Sequence, residues 1–131
     1  MNYRLPLFIC FISSFFLING CSGKVNNSVT FTNLAQGTVD VNFRGENITL
    51  TPGNSVIVQE IPKGTYNYDT NFSIPANALT GSSQGAVSGN LTISAGTRIL
   101  IMYSSSLTNN NTYILYATVS SSDDQGTLTS P

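Results

Sequence analysis

The sequence predicts an all-β fold, a small antiparallel β-sandwich of about seven to eight strands, immunoglobulin-like or prealbumin-like in outline. Three observations carry this reading. Short runs alternate apolar and polar residues with period two, as half-buried strands do. The runs recur at roughly 8–12-residue spacing, punctuated by Gly, Pro, Asn and Ser clusters. No stretch places apolar residues at helical spacing between capping residues.

Ser28–Asn33 alternates, with Val29 and Phe31 on one face. Leu34-Ala35-Gln36-Gly37 reads as a connection. Thr38–Phe43 follows, with Val39, Val41 and Phe43 pointing one way and Asp40 and Asn42 the other. Arg44-Gly45-Glu46-Asn47 turns the chain into a short strand carrying Ile48 and Leu50. Thr51-Pro52-Gly53-Asn54 is a strong turn, because Pro presets φ and Gly tolerates positive φ. Ser55–Ile61 is the next strand, and Pro62-Lys63-Gly64 turns again. Thr65–Ile74 carries Tyr66, Tyr68, Phe72 and Ile74 at even spacing, and Pro75 closes it because it lacks a ladder donor. Residues 76–85 are small and polar and read as the longest internal loop. Ala86–Ile93 resumes the alternation. Thr97–Tyr103 holds Ile99, Leu100, Ile101 and Met102 in a row, as a strand covered on both faces would. Residues 104–111 read as a loop and Thr112–Val119 as the last strand. The domain is therefore expected over 28–119, with a polar tether at 21–27 and a disordered polar tail at 120–131.

Two turns, Leu50-Thr51-Pro52-Gly53-Asn54-Ser55 and Ile61-Pro62-Lys63-Gly64-Thr65-Tyr66, resemble the punctuation of prealbumin-like surface sandwich modules. That resemblance speaks to architecture only.

The first twenty residues have another character. Arg4 precedes an apolar stretch from Leu5 to Ile18, too short for a comfortable membrane span and suited to a secretory signal. Ile18-Asn19-Gly20-Cys21 then resembles the lipobox of bacterial lipoproteins. Ile18 and Gly20 fit the pattern, and Asn19 stands where Ala or Ser is usual. The resemblance implies cleavage between Gly20 and Cys21, a diacylglycerol on the Cys21 thiol and an acylated N-terminus. Two or three acyl chains anchor stably where a single chain is marginal. Ser22, in place of the Asp that retains such proteins at the inner membrane in enteric bacteria, points to the outer membrane or cell surface of a bacterial envelope. Cys10 leaves with the signal, so Cys21 is the one cysteine of the mature chain and no internal disulfide forms.

Composition limits the chemistry. Charged residues make up 8% of the chain, against roughly 25% in ordinary soluble domains. Five basic residues face six acidic ones. No basic patch exists to hold phosphates, so nucleic acid is excluded as a partner. With no histidine there is no imidazole base and no His metal ligand. A Ser nucleophile would need Lys24 or Lys63 as its base, and one lies in the tether and the other in a turn. Among the carboxylates Asp40, Glu46, Glu60, Asp69, Asp123 and Asp124, only Glu60 and Asp69 have the sequence placement to become neighbours. Asp123-Asp124 in a tail does not form a calcium loop. No metal or cofactor is expected, and the chain is expected not to be an enzyme. Five N-x-[ST] strings, starting at Asn26, Asn47, Asn71, Asn90 and Asn110, are background in a chain so rich in Asn, Ser and Thr.

The remaining candidates are aromatic and neutral. Tyr66, Tyr68, Tyr103, Tyr113 and Tyr116 are candidate binding residues, because exposed tyrosines stack on sugars and anchor partners. Their structural alternative is core and cross-strand packing. Sheets guard their edges with charge, and this chain has little to spend there. The expected function is thus a membrane-anchored structural or protein-interaction module. Its alternative is a glycan- or small-ligand-binding module using a tyrosine-lined face or the 76–85 and 104–111 loops.

Overall fold

The computed structural model describes residues 26–123. Nine strands form two sheets: β1 Ser28–Asn33, β2 Val39–Phe43, β3 Glu46–Leu50, β4 Ser55–Gln59, β5 Gly64–Phe72, β6 Thr80–Gly85, β7 Ser88–Ile93, β8 Arg98–Leu107 and β9 Thr112–Ser121. One sheet runs β4-β1-β8-β9-β6 and the other β3-β2-β5-β7. The described residues contain no helix. The two sheets pack as a sandwich, and the expected all-β class holds.

The chain changes sheet at almost every connection. Only the β2–β3 and β8–β9 pairs are hairpins of consecutive strands. Antiparallel pairs dominate, but β1 runs parallel to β8 and β6 runs parallel to β9. Arg44 and Gly45, at φ 55° and 77°, make the two-residue turn between β2 and β3, the positive-φ geometry that matches strand twist.

Alternation places the core between the sheets. Val29, Phe31, Ile99, Ile101, Tyr103, Tyr113, Leu115 and Ala117 are buried from the five-stranded sheet. Val39, Val41, Phe43, Leu50, Tyr68, Leu91 and Ile93 are buried from the four-stranded sheet. Phe31 and Phe43 meet edge to face at 5.5 Å between centroids. Each such fully buried side chain contributes about 1.5–3 kcal/mol. The described residues include no cysteine, so their stability comes from this core and not from a disulfide among them.

Polar clamps lock the ends. Asn27, buried, donates from Nδ2 to the Ile61 carbonyl at 2.9 Å, and its Oδ1 accepts from the N–H groups of Gly96 at 2.6 Å and Thr97 at 3.1 Å. Asn33, also buried, donates to the carbonyls of Gly37 and Leu50 at 2.9 Å each and accepts from the Ala35 N–H at 2.9 Å. Thr97 donates to Asp123 Oδ2 at 2.7 Å. Among the described residues no buried side-chain polar atom lacks a partner.

Several expectations are corrected. The strand count is nine. Residues 80–85 are not loop but β6, added alongside β9; glycines and serines gave it no alternation to read. The 104–111 loop shrinks to a turn after Leu107, because Ser104, Ser105 and Ser106 continue the ladder opposite Tyr116, Leu115 and Ile114. The fold extends past residue 119, since β9 runs to Ser121 and Asp123 is held by Thr97. Asn27, assigned to the tether, is a buried clamp. The signal segment 1–20 and Cys21 lie outside the described residues, as does the tail from Asp124 onward.

Candidate functional site

The five candidate tyrosines do not assemble into one surface. Tyr68, Tyr103 and Tyr113 are buried, and their hydroxyls serve the fold. Tyr68 donates to the Ala86 carbonyl. The Tyr103 and Thr70 hydroxyls bond across the sandwich at 2.8 Å. Tyr113 OH accepts from the Gly37 N–H at 3.1 Å. Burial pushes the Tyr103 phenol from 10.0 up to about 12; the Thr70 bond works against this, and charge on Tyr68 adds to it. Burial also raises Tyr68. Tyr66 is half-buried at the sandwich end, donating to the Pro62 carbonyl at 2.6 Å, with its ring edge-on to Phe43 and the Arg44 guanidinium 5.5 Å from its centroid. Only Tyr116 belongs to an open sheet face. The correction is physical: even spacing marks a face, and that face was the inward one.

The open face is the outer side of the five-stranded sheet. On β1, Val29, Phe31 and Asn33 point inward, so Thr30 and Thr32 point out. The same parity turns Ile57 out on β4, Leu100 and Met102 on β8, and Ile114 and Tyr116 on β9. Register sets these into rows across the strands. Ile57, Thr30, Leu100 and Ser120 lie abreast, and so do Ser55, Thr32, Met102 and Thr118. Further along come Ser104, Tyr116 and Gln84, then Ser106, Ile114 and Ser82. Hydroxyl pairs brace the face: Thr32 with Ser55 at 2.8 Å, Thr80 with Thr112 at 3.1 Å, and Ser106 with Tyr116 at 3.3 Å. Ile57 is 56% exposed, and Leu100, Met102, Ile114 and Tyr116 are half-buried. In these rows the one charge is Arg98, at the end where Ser28 and Gln59 flank it.

At that end a groove of about 420 Å³ opens between Asn26, Ser28, Thr30, Ile57, Gln59, Glu60 and Arg98. It brings together a carboxyl side chain, a guanidinium and an exposed isoleucine. Glu60 holds a left-handed φ of 55°, uncommon for a residue with a side chain. By sequence placement Glu60 and Asp69 fall on different strands that could be neighbours. The structure places Glu60 just beyond β4 in the five-stranded sheet and Asp69 on β5 in the other. Asp40 accepts from Thr49 Oγ1 at 2.6 Å across β2 and β3. Among the described residues no three His, Cys, Asp or Glu side chains gather as a metal site would require.

No protein-family model matches the chain, and a search of curated proteins finds no match. The geometry of this face and groove is therefore the ground for a functional reading.

Proposed function

We propose that the chain is a lipid-anchored module of the bacterial cell envelope, held at the outer membrane or cell surface through Cys21, whose sandwich binds a protein partner and catalyses nothing. The observation that supports binding is the outer face of the five-stranded sheet. It presents half-exposed Ile57, Leu100, Met102, Ile114 and Tyr116 among hydroxyls, with charge confined to one end. Apolar side chains left open on one sheet face among neutral polar groups fit an interaction site. The complementary partner surface is apolar and uncharged. Asn26 begins the described fold five residues after Cys21, so at most about 18 Å of extended chain separates lipid from domain. The module works close to the membrane.

The test places a photo-crosslinking side chain at Tyr116 in the full chain, in a bacterial host. A discrete adduct is expected, lost on Cys21→Ser and absent when the crosslinker replaces exposed Thr49 on the other sheet. Adducts of equal yield from both faces, or none from Tyr116, contradict the reading.

A second reading has its own observation. The groove with Glu60, Arg98 and Ile57 fits a small polar ligand bearing both charges. Glycan stacking on a tyrosine row has no such support, because the row is turned inward.

A further inference from the structure

β9 outruns the strand beside it. It pairs with β8 as far as Ser121 but with β6 only to Ala117. Gly85 ends β6 at φ 83°, where a Cβ would strike the Ala117 carbonyl. The chain leaves the edge there, with Ala86 N–H donating to the Ala117 carbonyl at 2.9 Å. Among the described residues, Thr118–Ser121 therefore has a neighbour on one side alone.

Backbone parity shows what that open side carries. Even-numbered groups of β9 face β8: the Thr112 carbonyl accepts from Thr108, and the Ser122 N–H donates to Arg98. Odd-numbered groups face β6: the carbonyls of Asn111 and Ala117 accept from Leu79 and Ala86. Successive residues of a strand alternate in this way. The N–H and C=O of Val119 and Ser121 thus point into the gap. The side chain of Val119 faces inward, opposite Ile101, which is fully buried. Yet Val119 is 38% exposed, whereas Tyr113, Leu115 and Ala117 on the same side of β9 are buried. Among the described residues, no strand covers that stretch.

The chain beyond Asp123 supplies a matching segment. Asp124-Gln125-Gly126 is turn-forming, and Thr127-Leu128-Thr129 alternates about a single apolar residue. A four-residue bend over 122–125 would set Gly126 opposite Ser121, Leu128 opposite Val119 and Thr129 opposite Thr118. The register stops one position short of Ala117, where β6 ends. Thr97 Oγ1, donating to Asp123 Oδ2, ties the residue from which that bend would start to the sheet.

We propose that residues 126–129 dock on the open edge of β9 as an antiparallel strand, with Leu128 covering Val119. The occupant is the chain's own segment because the bend joins it directly to the edge it fills, and a short tether gives millimolar-scale effective concentration. A foreign strand would have to displace it, so the edge is guarded without charge. The proposal does not depend on the lipid anchor.

Amide hydrogen exchange tests it on the full chain, on Leu128→Asp and on a chain ending at Asp123. The Val119 and Ser121 amides are expected to exchange at least about tenfold faster in both variants, with Leu115 unchanged. Should the shortened chain fail to fold, the Leu128→Asp comparison decides alone. Equal Val119 exchange in wild type and Leu128→Asp overturns the proposal. So does protection that disappears on dilution of a dimer, which would assign the strand to a second copy.

Discussion

Replacing Asn33 with alanine is the sharpest test of how this fold is held. Asn33 ends β1, is wholly buried, and makes three bonds to backbone: two donated, to Gly37 and Leu50, and one accepted, from Ala35. These tie the β1–β2 connection to the end of β3, and so join the two sheets. Each such bond is worth about 1 kcal/mol net, and a buried group left unpaired costs about 1–3 kcal/mol. Asn33→Ala is therefore expected to lose about 3 kcal/mol or more. That is a large part of the roughly 5–15 kcal/mol of a typical domain. Asn33→Asp gives no rescue, because it keeps the acceptor for Ala35 but sets a carboxylate against two carbonyls. Asn42→Ala, exposed on β2, serves as the control and is expected within about 0.5 kcal/mol of wild type. Urea unfolding followed by circular dichroism reads all four proteins. A loss below about 1 kcal/mol for Asn33→Ala, or an Asn33→Asp protein as stable as wild type, refutes the clamp.

Tyr103 sets an alkaline limit. Its folded pKa of about 12 lies above the ordinary 10.0, so the folded state holds the proton more tightly. That stability is complete below pH 10 and drains as pH rises towards 12. Tyr103→Phe is expected to flatten the fall of unfolding free energy across that window, and an unchanged slope contradicts the assignment. Gly37→Ala drives a Cβ into the Ser73 carbonyl beside the Tyr113 hydroxyl, and is expected to cost about 2 kcal/mol or more in the same urea assay. Ile57→Lys leaves stability within about 0.5 kcal/mol, because the side chain is mostly exposed, but should abolish the Tyr116 adduct. A persisting adduct moves the binding surface elsewhere.

Period-two alternation locates β1 and β2 well, because each buries one face only. It could not find β6, whose Thr-Gly-Ser-Ser-Gln-Gly has no apolar residue and is placed wholly by pairing with β9. Nor does sequence reveal partners when the chain changes sheet between strands. The parallel β1–β8 pair joins residues about 70 positions apart, beyond any local turn rule. The tyrosines show a third limit: spacing puts Tyr66 and Tyr68 on one face, but only packing against Phe43 and Ala86 tells which face is inward. Asn27 and Asn33 looked like ordinary members of an Asn-rich chain. Their position at the two ends of the alternating strand that buries Val29 and Phe31 is the available signal.

Cys21 is the one residue on which lipid anchoring depends. Its most direct test is the intact mass of the mature chain purified from membranes of a bacterial host, beside Cys21→Ser. The expected wild-type chain begins at Cys21 and carries diacylglycerol plus an N-terminal acyl group, with the variant unprocessed. A chain that begins elsewhere, or a Cys21 with a free thiol, contradicts it.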